Sequence, residues 1–159
     1  MPVRPRVQEF LRLADVEYTV LPHHRAYGAR KEAAAALIPV SNWAKVVIAF
    51  VDGEPIQAVV PADCAVDFER LAAIIGVRQL RMASEDEIDW LYPDCETGAM
   101  PPFGPLYRQL VFMDRRLTER DEIGFNAGTF DDAVVMRVAD FIRLAKPVIG
   151  NFARAEVRQ

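Results

Sequence analysis

Two β-branched runs, Lys45 to Val51 and Ile56 to Val60, flank the pair Asp52-Gly53, and no other stretch restricts the fold as strongly. An Asp-Gly pair suits the two positive-φ positions of a tight hairpin turn, so the runs predict adjacent antiparallel strands. Both runs are apolar at nearly every position rather than at alternate ones. Strands of that kind lie centrally in a sheet that is covered on both faces.

Helical and strand signals surround this hairpin. Val7, Phe10, Leu11 and Ala14 recur at helical spacing and predict an amphipathic helix over 3–15. Glu17 to Leu21 reads as a short strand, and Ala29 to Leu37 as an alanine-rich helix. Asp67 to Ile75 forms a further helix, with Gly76 placed for a left-handed cap. Val77 to Met82 alternates as a strand, and Ser84 with Glu87 is a capping-box signature that opens the next helix. Strands follow at Leu106 to Met113, Ile123 to Asn126 and Ala133 to Val138, then a helix over Ala139 to Lys146. Helices and strands mix irregularly around a hairpin, which favours α+β, a mixed and largely antiparallel curved sheet flanked by helices. At 159 residues the chain suits one domain, assigned to 1–150, followed by a polar tail over 151–159.

Composition removes several classes of function. Asp and Glu outnumber Lys and Arg by 23 to 19, so the chain is not a general nucleic-acid coat. Local basic residues (Arg25, Arg30, Lys31) still allow a small footprint on one end of a nucleic acid. No apolar run is long enough to span a membrane, and the Arg-containing start does not read as a signal peptide. Cys64, Cys95, His23 and His24 form no zinc-ligand spacing, so no metal and no cofactor are expected. Two isolated cysteines are most simply free thiols of a reducing cytoplasm.

Three segments could carry chemistry. Gly98-Ala99-Met100-Pro101-Pro102-Phe103-Gly104 brackets two prolines with two glycines, a stiff loop whose bare ends can present backbone amides to a ligand. Lys45 heads the most apolar strand, where its ammonium must find an edge or a partner and can serve as a point charge for phosphate or carboxylate. Phe125-Asn126-Ala127-Gly128-Thr129 offers an amide side chain and open backbone donors beside a strand end. Each also has a purely structural reading: a sharp connection, a snorkelling lysine, an ordinary turn. His23 could act as a base or donor, and Asp131 and Asp132 would point to opposite faces of a strand. The sequence contains no nucleophile elbow, P-loop or GxGxxG turn, so covalent and nucleotide-cofactor chemistry are poorly supported.

Taken in order, these pieces resemble the YbaK-type aminoacyl-tRNA deacylases, free-standing relatives of the editing domain of bacterial prolyl-tRNA synthetase. The resemblance runs from about residue 6 to residue 145 through His23, Glu32-Ala33-Ala34, Lys45, Gly98 to Gly104, Asp114, Asn126-Ala127-Gly128 and Asp140. It implies hydrolysis of the ester that joins a wrong amino acid to tRNA, with water as the nucleophile. It assigns Lys45 to the terminal phosphate region of the tRNA, and Gly98, Gly104 and Gly128 to the ester pocket. Met100, Pro101, Pro102, Phe103, Asn126, Ala127 and His23 would border the substrate. The implied partners are the acceptor end of aminoacyl-tRNA and an aminoacyl-tRNA synthetase, with no membrane. Thr129-Phe130-Asp131-Asp132 departs from the family, many of whose members carry basic residues or histidine there. Two rivals therefore stand beside a deacylase: a non-catalytic module that binds the acceptor end or a synthetase, and a pocket for small acyl or amino-acid ligands.

Overall fold

The hairpin is the centre of the molecule in a computed structural model that describes residues 4–156. Strand β2 (Ala44–Val51) pairs antiparallel with β3 (Glu54–Pro61), with Lys45 opposite Val60 and Val51 opposite Glu54. Asp52 and Gly53 both hold positive φ, 49° and 82°, as a twist-matched two-residue turn requires. Beyond β2 lies the two-residue β5 (Arg81–Met82), and beyond β3 come the parallel strands β6 (Leu110–Asp114) and β9 (Val148–Gly150). A second sheet sets β8 (Asp132–Arg137) between β1 (Tyr18–Pro22) and β7 (Glu122–Asn126), all antiparallel. A bridge from Trp43 to Gly124 brings the start of β2 up to this second sheet.

At β3 the five-stranded sheet is covered on both faces, as its unbroken apolar run requires, while the edge strand β5 is exposed. Ile56, Ala58 and Val60 of β3 pack with Leu71, Phe112 and Phe152 on one side. On the other side Val59 meets Met113 and a cluster of Phe103, Phe125 and Phe141. Helix α3 (Phe68–Ile75) covers the first face, while α1 (Pro5–Ala14) and α6 (Val138–Ala145) cover the second. Local signals act as written: Asp67 caps α3, Gly76 ends it in the left-handed region, and Ser84 and Glu87 close a full capping box on α4 (Glu85–Leu91). The remaining helices are α2 (Ala29–Ala35) and the single turn α5 (Arg115–Thr118).

Three expectations are corrected. The strand expected from Leu106 begins only at Leu110, because Gly104–Tyr107 winds into a 3-10 turn that starts on Gly-Pro and ends at Arg108 with φ 57°. Of Val77 to Met82 only Arg81 and Met82 pair, since only they reach the edge of β2. The segment after Gly150 is not a loose polar tail. Phe152 is fully buried, and β10 (Ala153–Ala155) pairs with β4 (Cys64–Val66). The buried carboxylate of Asp114 pins this segment by accepting from the N–H groups of Phe152 and Ala153 at 2.9 and 2.8 Å. One aromatic ring taken fully out of water contributes about 1.5–3 kcal/mol, enough to hold a short segment against the sheet. The outermost positions of the expected opening helix and tail, residue 3 and residues 157–159, lie outside the described residues.

Candidate active site

Where β2 begins and β7 ends, a cavity of about 300 Å³ opens between α2, the 97–100 loop and Phe130. Its lining brings together Lys45, Gly98, Met100 and Asn126, residues up to 81 positions apart in the chain (126 − 45). Glu32, Trp43, Tyr27 and Phe130 complete its main walls.

Glu32 is the chemically unusual member. The alanines of α2 bury one helix face, with Ala33 wholly covered and Ala36 nearly so, and the Glu32 carboxyl goes in beside them. Its Oε2 accepts from the Gly28 N–H at 2.9 Å and its Oε1 from the Asn126 amide at 2.8 Å. The Trp43 indole also favours the charged form. Burial dominates all three and raises the Glu32 pKa to about 7. Asn126 is itself buried, and its Oδ1 has no hydrogen-bond partner among the described residues.

Lys45 and Glu32 are the charged side chains of the lining, and they do not pair with each other. The Lys45 ammonium reaches Glu156 at 3.2 Å, and Glu156 is held there by its N–H bond to the Asp63 carbonyl. The packed C-terminal segment thus supplies the counter-ion of Lys45. A second, adjoining cavity carries Lys45 and Glu156 together with Arg30 and Lys31, so the lysine stands on the border between the first cavity and a basic surface.

The opposite wall is aromatic and clasped from behind. Tyr27 and Phe130 meet edge to face at 4.9 Å between ring centres. Arg25 bonds Asp131 at 2.9 Å, the Tyr27 hydroxyl at 3.2 Å and also the Glu96 carboxylate. Glu96 in turn accepts from the Phe130 N–H at 2.7 Å. Burial works against the Glu96 charge, yet Arg25 and the Phe130 N–H together hold its pKa below the ordinary value. The Asp131 carboxylate is thereby paired with Arg25, which it shares with Glu96.

The remaining sequence candidates, Gly98 apart, are not among the lining residues. Gly98 has φ 95° and its N–H points to the Met100 sulfur, a weak acceptor that a better one would displace. Pro101 and Pro102 are buried, the Pro101 carbonyl accepting from the Gln57 amide at 3.0 Å, and Phe103 lies in the aromatic core. At Gly104 a Cβ would stand 2.4 Å from the Gln109 carbonyl oxygen, so this glycine permits close packing away from the cavity. Gly128 donates to the Ala99 carbonyl at 2.7 Å and accepts from the Glu96 N–H, tying its turn to the glycine-proline loop. Ala127 is buried and its carbonyl accepts from the Arg4 N–H at 3.2 Å. The ring of His23 bonds its neighbour's carbonyl through Nδ1 and is not among the lining residues.

Glu32 escaped assignment to the site by sequence although it stood within a quoted motif. The available signal was a carboxylate on the apolar stripe of an alanine-rich helix. Trp43 and Tyr27 carried no local signal. Neither thiol offers a nucleophile: burial raises the pKa of both Cys64 and Cys95, and neither lines the cavity. Thr97 does line it, with its hydroxyl hydrogen-bonded to the Asp89 carboxylate. Among the described residues no group of three His, Cys, Asp or Glu side chains is arranged to hold a metal ion.

Fold and cavity define a small mixed α/β domain that presents a lined cleft, with a cation at its edge and a buried carboxylate in its wall. Comparison with known proteins gives that class its family. Residues 23–144 match the aminoacyl-tRNA editing domain, and the chain belongs to that family. It is 38% identical over 120 residues to the multifunctional Ser/Thr-tRNA deacylase ProXp-y of Escherichia coli K12, covering 72% of this chain and 71% of that one. Two crystal structures share the fold. One is of a hypothetical protein, with TM-score 0.83 and 18% identity over 94% of this chain and 99% of the other. The second is of a candidate trans-editing enzyme for prolyl tRNA synthetase, with TM-score 0.79 and 19% identity over 94% of this chain and 96% of the other.

Proposed function

We infer that the chain is an aminoacyl-tRNA deacylase, a hydrolase that cleaves the ester of mischarged tRNA in trans. The family membership and the 38% identity to a tRNA deacylase carry this reading. The cavity supplies its chemistry. Lys45 holds the terminal phosphate region of the tRNA, exchanging Glu156 for the incoming phosphate at the edge where Arg30 and Lys31 add positive charge. Gly98 and Met100 frame the ester, and the Gly98 N–H gives up sulfur for the developing oxyanion. A backbone donor so placed is worth about 3 kcal/mol in acyl chemistry. Water attacks, as the resemblance to the editing family implies, and neither thiol lines the cavity. Gly104, Gly128 and Ala127 act indirectly, by setting the course of the loops.

The named relative acts on Ser- and Thr-tRNA, and a cleft of about 300 Å³ walled by Trp43, Met100 and Phe130 accommodates side chains of that size. Small hydroxylated amino acids are therefore the substrates we propose, presented on tRNA in the cytoplasm by the synthetase that mischarged it. Release of amino acid from a panel of mischarged tRNAs by the purified protein tests the activity. Lys45→Ala should lower kcat/KM about 100-fold, the loss of one well-placed charge contact, with the unfolding midpoint unchanged. Undiminished turnover by this variant would remove Lys45 from the site.

A further inference from the structure

Buried carboxylates are normally paired with a cation or bound to a metal, because an isolated charge out of water is costly. Glu32 is 5% exposed and has neither. Among the described residues no lysine or arginine forms an ion pair with it. Lys45, the cation of the lining, is committed to Glu156. Its hydrogen-bond donors, the Gly28 N–H and the Asn126 amide, are both neutral. A carboxylate has room for about four donors, so acceptor positions stay open. Beside it Asn126, in the same cavity wall, keeps an unpartnered buried oxygen. This wall is therefore short of a positively charged donor.

We propose that Glu32, with Asn126 Oδ1, is the binding site for the free α-ammonium group of the aminoacyl ester, so that the cavity accepts aminoacyl groups and rejects N-blocked or deaminated acyl groups. The proposal rests on the deacylase reading for the identity of the ligand. An ammonium carries three N–H donors and supplies the charge that Glu32 lacks. The cleft already places an acidic wall (Glu32) and a basic edge (Lys45) apart from each other, matching an ester whose amino end is cationic and whose tRNA end is anionic. Burial leaves the Glu32 pKa near 7 while the cavity is empty of cations. A bound ammonium would hold it lower.

The test compares three non-hydrolysable ligands in titration calorimetry: 3′-serylamino-3′-deoxyadenosine, its N-acetyl derivative, and the glyceryl analogue in which a hydroxyl replaces the amine. Wild-type protein should bind the free amine about 10- to 100-fold more tightly than the glyceryl analogue, the worth of one charge-assisted contact. Glu32→Gln should bring that ratio close to one, with an unchanged circular dichroism spectrum. Equal wild-type binding of amine and glyceryl ligands would overturn the proposal, whatever the variant does. So would an undiminished preference in Glu32→Gln. If that variant does not fold, the wild-type ratio alone decides. Turnover of Ser-tRNA by the same preparation reports separately on the deacylase reading. Amine preference without turnover would break that reading and leave the ammonium site standing.

Discussion

The two ends of the glycine-proline loop use the same residue type for different physics. Gly98 stands in the cavity wall at φ 95°, where a Cβ would meet only the edge of the movable Phe130 ring, at 3.2 Å. Gly104 lies six positions on, buried, where a Cβ would strike the Gln109 carbonyl at 2.4 Å and Val111 at 2.6 Å. Between them the Pro101 carbonyl is anchored by Gln57, whose amide also donates to the Tyr92 hydroxyl at 3.1 Å, while Tyr92 donates to Gln109. The first end faces the cavity and the second holds the first in place. A loop can thus be rigid at its cavity end because its far half is built into the core.

Substitutions should separate the two halves, and the anchoring half should be the more sensitive. Gly104→Ala forces a backbone shift and should cost about 3 kcal/mol or more, at the upper end for overpacking. That corresponds to a fall of roughly 6–12 °C in Tm for a domain of this size. Activity should decline only with the folded fraction, and a full-stability Gly104→Ala variant would break the comparison.

Glu32 sharpens it from the ligand side through pH. Its pKa in the folded chain is raised from 4.5 to about 7, so the fold favours the protonated form. The stability this contributes is complete below pH 4.5, is lost as pH rises towards 7, and stays lost above. Urea unfolding of wild type and Glu32→Gln across that window should differ in slope, integrating to roughly 3 kcal/mol. Parallel pH profiles would mean that Glu32 keeps an ordinary acidity.

Tyr92→Phe strands Gln57 and Gln109 without their shared hydroxyl and should cost about 1–3 kcal/mol. It should also raise KM more than it lowers kcat, because the loop is loosened rather than stripped of a contact. The smallest effect on stability is expected at Gly98→Ala. A side chain in the left-handed region costs about 1–2 kcal/mol. Here kcat/KM should nevertheless fall several-fold, since the ring of Phe130 must yield into the cleft. A stability loss at Gly98 equal to that at Gly104 would erase the distinction between the halves.

Much of this architecture was legible before folding. The Asp52-Gly53 turn, the caps at Asp67, Ser84 and Gly76, and the two-faced burial of β2 and β3 follow from residues within a few positions of one another. Four of the candidates read from the ordered motifs, Lys45, Gly98, Met100 and Asn126, line one cavity. Phe103 and Gly104 belonged to the same motif and went into the core, because the 3-10 turn at Gly104–Tyr107 carries the chain inward. Phe152 looked like part of a polar tail, since five of the residues around it in 151–159 are polar or charged and only long-range burial shows its weight.

By itself the sequence determined where strands turn, where helices start and stop, and which stretches must be covered, since those outcomes depend on local sterics and short-range hydrogen bonds. Tertiary structure alone decided that Glu32 meets Asn126 across 94 positions, that Lys45 faces Glu156, and which glycine of the loop borders the cleft. A carboxylate's acidity and a glycine's necessity are set by the neighbours that folding brings within a few ångströms, and a linear pattern does not contain those neighbours.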